Sequence, residues 1–284
     1  MSEGLASRSE LRHGVTHHRV LAGFDGSVGS TCAAEWAAAE AVARDSSLQI
    51  VMAQTMPDPV DFTRAAARRA TQLQQLAARL SSAYPLLDLD VVTTVADPRD
   101  ALLAKAQAAD LLVIGAHESG AAARLLFGSV ERTAARRSAC PVVVFRGAAV
   151  LRPMRRIVVG VDGSNAAEAA LVWAAREAEL HDAAELVAVH GWDRTVHREE
   201  AQQIVDSAVC FAQSLTGLSV RGELADGDGT AALTKSSLDA DLLAIGSRGR
   251  SGFRTLLFGS VALTVAEQSS CPVAVTHPQL RQAG

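Results

Sequence analysis

Aromatic residues are scarce in this chain of 284 residues, at 4% of the total. Proteins that bind single-stranded nucleic acid stack its bases on aromatic side chains, so this composition argues against that function. Lysine is rarer still: Lys105 and Lys235 are the only two, and arginine carries nearly all the positive charge. The net charge of −4 is also opposite to that of a phosphate-neutralising surface. We therefore expect no nucleic-acid partner.

Cysteine clusters and long apolar runs are missing as well. The chain has four widely separated cysteines, Cys32, Cys140, Cys210 and Cys271. They form no C-x-x-C pair and no Cys/His cluster, so we expect neither a disulfide framework nor a metal site. No apolar run approaches the roughly 18 residues that span a bilayer, and the N-terminus lacks the apolar segment of a signal peptide. These features predict a cytoplasmic protein with no membrane partner.

What the chain does contain is an internal duplication. The segment Gly23–Ser27 recurs with one change as Gly160–Ser164, displaced by 137 residues. The segment Leu125–Val130 recurs unchanged as Leu256–Val261, displaced by 131 residues. The difference between the two displacements indicates an insertion in the first copy. The repeat predicts a flexible N-terminal arm at 1–18, a first domain at 19–146, a linker at 147–155, a second domain at 156–277 and a tail at 278–284.

Both copies show the same order of elements. Short apolar runs of strand type alternate with helical segments, five strands with four helices, which predicts βαβ units around a buried parallel sheet. The strands are predicted near 20–24, 48–54, 88–95, 111–115 and 141–145 in the first copy, and near 156–161, 185–191, 218–224, 241–246 and 272–276 in the second. In the first copy, helices are predicted from the Asp-Gly-Ser turn through about residue 44, over 61–83, over 98–109 and from about 128.

A glycine-bearing loop follows the fourth strand of the second copy. Alternating α/β domains bind ligands at the carboxyl ends of their strands, where the strand order reverses. The loop runs from Gly246 through Gly249 and three arginines to Gly259 and Ser260, where a helix begins. Glycines let a backbone close on a ligand, helix N-termini attract anions, and arginines pair with phosphates. The pattern favours a polyphosphate, and a glycine-rich turn with solvated arginines is the alternative.

The spacing Gly246-x2-Gly249-x9-Gly259-Ser260 resembles the ATP-binding signature G-x2-G-x9-G-[S/T] of the universal stress protein family. The Asp-Gly-Ser turn after the first strand, the Gly-Asp-Gly turn at 227–229 and the Cys-Pro-Val final strand also resemble that family, over nearly all of 19–277. The resemblance implies two tandem doubly wound five-stranded parallel-sheet domains, of the adenine-nucleotide alpha-hydrolase-like type. It further implies the strand order 3-2-1-4-5, with the nucleotide between the first and fourth strands.

The resemblance also implies a set of contacts to ATP in the second domain. Asp162 would lie beside the ribose, and an Asx turn that satisfies its own backbone is the alternative role for this residue. Gly191 would contact adenine through backbone atoms. The ribose and phosphates would be surrounded by the loop and helix residues Gly246, Gly249, Arg250, Gly259, Ser260 and Val261. Mg²⁺ would bridge the phosphates, although the sequence supplies no dedicated ligand cluster for it.

The first copy departs from the signature at its second glycine, where Glu118 stands. A carboxylate beside a polyphosphate repels it, and a side chain there obstructs close backbone approach. The other matching residues of the first copy remain: Asp25, Gly115, Gly128, Ser129 and Val130. We therefore expect the second domain to hold the stronger nucleotide site.

Competing motifs are weaker. The stretch Gly227-x-Gly229-x-x-Ala232 formally matches a dinucleotide fingerprint, but a turn that begins a helix explains it better. The chain contains no lysine-bearing phosphate loop and no G-x-S-x-G elbow. His190 and His277, at strand ends, are interpreted as structural residues. No catalytic set is evident from the sequence.

Three functions stay open at this point. The resemblance implies an ATP-binding regulatory protein of the stress response. A slow ATPase is the enzymatic alternative, in which the loop arginines stabilise phosphoryl charge. A nucleotide-free interaction scaffold is the third, and Glu118 leaves it open for the first domain. The family pairs its domains through the last strand, here Pro141–Phe145 against Pro272–Thr276, and we expect a homodimer and a protein partner that the sequence does not identify.

Overall fold

The computed structural model describes residues 18–55, 59–116, 128–145, 153–249 and 259–278. Its strands are β1 (Arg19–Gly23), β2 (Ser47–Gln54), β3 (Leu89–Val95), β4 (Leu111–Gly115), β5 (Val142–Phe145), β6 (Arg156–Gly160), β7 (Glu185–Trp192), β8 (Val220–Asp226), β9 (Leu242–Gly246) and β10 (Val273–Thr276). Its helices are α1 (Val28–Ala43), α2 (Pro59–Ala83), α3 (Pro98–Ala106), α4 (Ser129–Arg137), α5 (Asn165–Leu180), α6 (Arg198–Leu215), α7 (Gly229–Ser236) and α8 (Ser260–Gln268).

The strands of each copy form a parallel sheet with the predicted order. The first copy is ordered β3-β2-β1-β4-β5, and the second has the matching order β8-β7-β6-β9-β10. β1 and β4, which are apolar except for Arg19, lie inside the sheet of the first copy, where both faces are covered. The crossovers reverse direction between β1 and β4, and between β6 and β9, so a switch point opens at the carboxyl ends of each pair.

Helices cover both faces of the sheet. In β1, Val20 and Ala22 belong to a core with α1 and α2, whereas Leu21 between them belongs to a second core with α3 and α4. The first core also includes residues of α5 and α6, and the second includes residues of α7 and α8. Each core therefore runs through both copies, and alternate residues of one strand contribute to opposite cores.

The two copies are joined through their last strands. β5 pairs with β10 in antiparallel register, with Val144 opposite Val273 and Val142 opposite Val275, so the two sheets form one sheet of ten strands. All four residues of each of these strands are buried. An apolar edge of this kind would otherwise expose unpaired backbone groups. The predicted pairing of the last strands is therefore present within one chain.

The Asp-Gly-Ser turn has a local explanation in both copies. In the second copy the Ser164 amide donates to Asp162 Oδ1 at 3.0 Å, and the Ser164 hydroxyl accepts from the Ala167 amide at 3.2 Å. Gly163 lies between them with a φ of 75°, a conformation that favours glycine. The turn therefore aligns the carboxylate at the end of β6 and caps α5 at the same time. Gly26 and Ser27 repeat this arrangement in the first copy.

The Gly-Asp-Gly turn begins α7, as predicted for a turn that starts a helix. Asp228 is the N-cap residue, and its Oδ1 accepts from the Ala231 amide at 2.8 Å. Gly227 has a φ of 108°.

The end of α3 differs slightly from the predicted bound. The helix ends at Ala106 and not at 109, because the amides of Ala108 and Ala109 bond to carbonyls three residues back, as in a turn.

The cysteines and His277 have structural surroundings. All four cysteines are free thiols. Cys140 and Cys271 are buried directly before the last strands, and burial raises the pKa of each thiol to about 11. His277 donates from Nε2 to the Ala135 carbonyl at 3.1 Å, which links the end of the second copy to α4.

Of the helices in the described ranges, none combines the length and the apolar character that a membrane crossing needs.

Candidate functional site

A cleft of about 1030 Å³ opens beyond the carboxyl ends of β6 and β7 in the second copy. Small-molecule sites commonly measure about 300–1,000 Å³, so the cleft is large enough for a nucleotide-sized ligand. Val161 and Asp162 follow β6, and His190, Gly191 and Trp192 end β7. Further lining comes from α5, α6 and the start of α7. The cleft thus lies at the edge of the sheet where ligands of this architecture bind.

Asp162 is held at the mouth of the cleft. Its Oδ1 accepts from the Ser164 amide, so the Asx turn considered as its alternative role is present. Its Oδ2 faces the loop after β9: a Cβ built on Gly249 would lie 2.7 Å from that oxygen. The carboxylate therefore contacts its own turn through one oxygen and the glycine loop through the other. The two roles weighed for Asp162 are compatible with each other.

Gly191 brings the backbone of β7 against the start of α7. A Cβ at this position would lie 2.6 Å from the Asp228 carbonyl and from the Gly229 amide nitrogen. Backbone atoms cannot move aside as a flexible side chain can, so only glycine fits here. Gly229, which also lines the cleft, packs in turn against Val261 at the start of α8, with its built Cβ 3.6 Å from Val261 Cγ1.

The two ends of the loop between β9 and α8 are hydrogen-bonded to each other. The Gly259 amide donates to the Ser247 carbonyl at 3.0 Å, and Gly259 is the N-cap residue of α8. Ser260 and Val261 are exposed in the first turn, where backbone amides carry partial positive charge. The predicted residues Asp162, Gly249, Gly259 and Val261 thus lie in a continuous series of neighbours beside the cleft. Arg250 lies outside the described residues.

Gly246 is packed for a different reason. A Cβ built there would lie 2.5 Å from the carbonyl carbon of Ala166 and 2.6 Å from its oxygen. β9 therefore approaches the first turn of α5 closely enough to exclude any side chain. The residue brings the loop and the Asp162 turn together, and packing alone accounts for glycine at this position.

Several lining residues of the cleft carry no sequence signature. His190 donates from Nδ1 to the Val161 carbonyl at 2.7 Å, so the neutral ring carries its proton on Nδ1. The ring forms part of the cleft wall. Trp192 donates from Nε1 to the Val196 carbonyl, and the guanidinium groups of Arg194 and Arg198 lie 5.7 and 5.1 Å from its ring centre. A rare tryptophan directly after a predicted strand was the available signal for this wall.

The first copy has a smaller cavity, of about 290 Å³. All five residues predicted there line it: Asp25, Gly115, Gly128, Ser129 and Val130. The structure therefore brings the first-copy candidates together at one switch point. Glu131 lines the same cavity and is buried, with 4% of its surface exposed. Sequence reasoning singled out Glu118, which lies outside the described residues, and missed Glu131.

A third cluster lies between α1 and α5, away from both cavities. Glu40, Glu177 and His181 are the one group of potential metal ligands found among the described residues. The Arg44 guanidinium pairs with both carboxylates, through Nε to Glu40 at 2.6 Å and through Nη2 to Glu177. His181 Nε2 lies 2.8 Å from Glu40 Oε2. The cluster is an ion-pair network that links the two copies.

Comparisons of the sequence and of the fold with known proteins both find universal stress proteins. The sequence model of the universal stress protein family matches residues 16–146, 153–209 and 194–277. The chain is similar to two universal stress proteins of Mycobacterium tuberculosis, at 28% and 29% identity, each alignment covering 92% of this chain and 97% of the relative. Its fold is similar to that of a universal stress protein from Archaeoglobus fulgidus, with a TM-score of 0.70, 20% identity and coverage of 92% of this chain and 98% of that one.

Proposed function

The chain belongs to the universal stress protein family, and on that premise we propose that its second domain binds ATP and regulates the response to stress through nucleotide-dependent conformation or association. The family-model match confirms the predicted family, and the structure confirms the predicted tandem α/β fold. The nucleotide, its site and the regulatory role are the proposal, and the geometry of the second domain supports them.

The continuity between the cleft and the start of α8 carries this proposal. Asp162 and Gly191 line the cleft, and Gly229 connects its wall to Val261 on α8. A nucleoside in the cleft would direct its phosphates toward the first turn of α8. Backbone amides and the helix dipole favour negative charge there. The same helix start carries the exposed Ser260, whose hydroxyl would donate to a phosphate oxygen.

The chemistry of the cleft suits an adenosine. Its lining includes apolar side chains that would pack on a flat base: Val161, Leu171, Trp192, Ile204 and Phe211. The Asp162 carboxylate would accept from ribose hydroxyls at the mouth. Mg²⁺, when bound, would neutralise phosphate charge with ligands drawn mainly from the phosphates and water.

Binding, rather than turnover, is the function that these contacts perform. They consist of packing on the base, a carboxylate at the ribose and amides at the phosphates. None of them removes a proton from an attacking water, which hydrolysis requires of a general base. Nucleotide occupancy would instead act through the conformation or association of the protein.

The proposal is tested by denaturing the purified protein and identifying any nucleotide released, then titrating the emptied protein with ATP and Mg²⁺ by calorimetry. We expect one adenine nucleotide per chain. A protein that releases none and binds none would be a nucleotide-free scaffold. Steady multi-turnover release of phosphate, lost in Gly249→Ala, would overturn a function restricted to binding.

Gly249→Ala gives the matched variant for this site. The added methyl group would approach Asp162 Oδ2 to 2.7 Å and displace a carboxylate that is anchored by the Ser164 amide. We expect affinity for ATP to fall by about tenfold or more, which is a loss of at least about 1.4 kcal/mol. Gly217→Ala is the control, because a Cβ there has no neighbour within 4 Å. Equal affinity in both variants would contradict the role of Gly249.

We also propose that the chain acts in the cytoplasm and forms a homodimer. The last strands, β5 and β10, already pair with each other inside the chain. A homodimer must therefore use another surface. Sedimentation of the pure protein at micromolar concentration measures this, since a particle of twice the 29.7 kDa chain mass supports the dimer and a single-chain particle overturns it.

A further inference from the structure

We infer that the Glu131 carboxylate occupies, in the first domain, the place that nucleotide phosphates take in the second, and so keeps the first domain from binding nucleotide. The inference rests on the proposed function of the second domain. It assigns the inequality of the two domains to one buried side chain at the start of α4.

The position of Glu131 puts its carboxylate over the N-terminus of α4. It is the third helical residue after the N-cap Gly128, a position from which glutamate side chains fold back to the N-cap residue. A Cβ built on Gly128 would overlap Glu131 Oε2 and lie 3.2 Å from Oε1. Both oxygens therefore lie against Gly128, and the residue is only 4% exposed.

This location is the one that a phosphate would need. The first-turn amides of a helix present partial positive charge, which one internal carboxylate partly neutralises. A polyphosphate entering the same place would meet a like charge at short range and a side chain in its path. Because the glutamate is part of the helix, its carboxylate is always available to compete with nucleotide phosphates for this place.

The second copy supplies the contrast. The hexapeptide Leu-Leu-Phe-Gly-Ser-Val is identical in both copies, and the first residue after it is Glu131 in one and Ala262 in the other. The first turn of α8 contains no acidic residue. Because the preceding six residues are identical, this exchange is the first difference between the two helix starts.

Glu118 offers a second explanation of the same inequality, and the two are separable. Glu118 stands at the second glycine position of the loop, whereas Glu131 stands on the helix that would hold the phosphates. If Glu131 decides binding, its replacement opens the first domain while Glu118 is still present. If Glu118 decides, replacing Glu131 changes nothing.

The test is ATP stoichiometry by calorimetry on the full chain, in the presence of Mg²⁺. We expect one site per chain in the wild type and two in Glu131→Ala, which carries the residue of the second copy. Glu131→Gln removes the charge but keeps a side chain that can cap the helix, and we expect a second site at least tenfold weaker than that of Glu131→Ala. Ala262→Glu should lose the site of the second domain. Glu179→Ala, an exposed change on α5, is the control and should keep one site.

The outcomes distinguish failure of the inference from failure of the proposed function. The inference is wrong if the wild type has one site and both Glu131 variants, shown to be folded by circular dichroism, also have one. The proposed function is unaffected by that result. Two sites in the wild type also overturn the inference. No site in the wild type overturns the proposed function and, with it, the inference that rests on it. Gly249→Ala combined with Glu131→Ala assigns the gained site to the first domain, because the second-domain site should weaken by about tenfold or more while the gained site keeps the affinity that it has in Glu131→Ala.

Discussion

The guanidinium of Arg44, at the end of α1 in the first domain, pairs with the buried carboxylate of Glu177 on α5 in the second. Glu40 and Glu177 occupy equivalent positions in the two copies, and so do Arg44 and His181. The duplication has therefore brought two glutamates together near the contact between domains, both only 1% exposed. Arg44 pairs with both carboxyl groups, and its counterpart in the second copy, His181, lies beside Glu40.

Removing that arginine should destabilise the protein strongly. Arg44→Ala leaves two buried carboxylates near each other, and breaking a buried ion pair costs about 3–5 kcal/mol. We expect the free energy of unfolding in urea to fall by that amount. Arg79→Ala is the control, since Arg79 pairs with Glu35 at 2.9 Å on the surface and exposed pairs contribute about 1 kcal/mol or less. Equal losses in the two variants would contradict the special role of Arg44.

The same cluster predicts a dependence of stability on pH. Burial, together with the nearby charge of Glu40, raises the pKa of Glu177 to about 8. A carboxyl with a raised folded pKa stabilises the folded state while it is protonated in that state, and this contribution is lost as the pH rises from the unfolded pKa toward 8. The slope is up to about 1.4 kcal/mol per pH unit. The pKa of Glu40 is lowered instead: hydrogen bonding to His181 and the charge of Arg44 outweigh burial, and its contribution is lost only in acid.

The measurement is the unfolding free energy of wild type and Glu177→Gln across neutral pH. Glutamine imitates the protonated carboxyl at every pH, so the wild type should lose stability relative to the variant as the pH rises from about 5 to about 9. Glu185→Gln is the control. Against the effect of partial burial, hydrogen bonding from Arg221 and the charge of Arg156 lower the pKa of Glu185, which therefore stays ionised throughout. A wild type that runs parallel to Glu177→Gln would contradict the raised pKa.

Gly246 separates a packing role from a binding role. Gly246→Ala would press a methyl group onto the backbone of Ala166. Overpacking in a well-packed core costs about 1–3 kcal/mol, and we expect a loss at the upper end because backbone must move. Thermal unfolding should therefore shift down in Gly246→Ala and stay unchanged in Gly217→Ala. A stable Gly246→Ala that has lost only nucleotide affinity would assign this glycine to the ligand instead.

Much of the fold follows from local pattern. Apolar runs such as Leu111–Gly115 are short enough for buried strands, and the Asp-Gly-Ser and Gly-Asp-Gly turns cap helices through contacts within a few residues. These signals predicted the ten strands, with errors only at ends such as that of α3, and the family resemblance implied their order. Where the capping contacts are short-range, sequence spacing and structure agree because the same few residues decide both.

The candidate site was predictable only in part. The glycine spacing pointed to Gly249 and Gly259, and the repeat pointed to the first-copy residues that share a cavity. The wall formed by His190 and Trp192, and the residues of α6, had no such mark. Glu131 could be compared with Ala262 in the sequence, but its burial against Gly128 could not be read there.

The amino-acid sequence by itself determined that this protein has two copies of one α/β unit of the universal stress protein family, and that only the second copy has every glycine of the G-x2-G-x9-G-S spacing. Those conclusions depend on repetition, turn chemistry and motif spacing, which can be read along the chain. Only the tertiary structure decided that Asp162 faces Gly249, that Glu131 folds over the start of α4 and that Arg44 contacts both Glu40 and Glu177. The distance between side chains far apart in sequence is set by the packing of the whole sheet and its helices, and such contacts depend on burial and direction that no local pattern records.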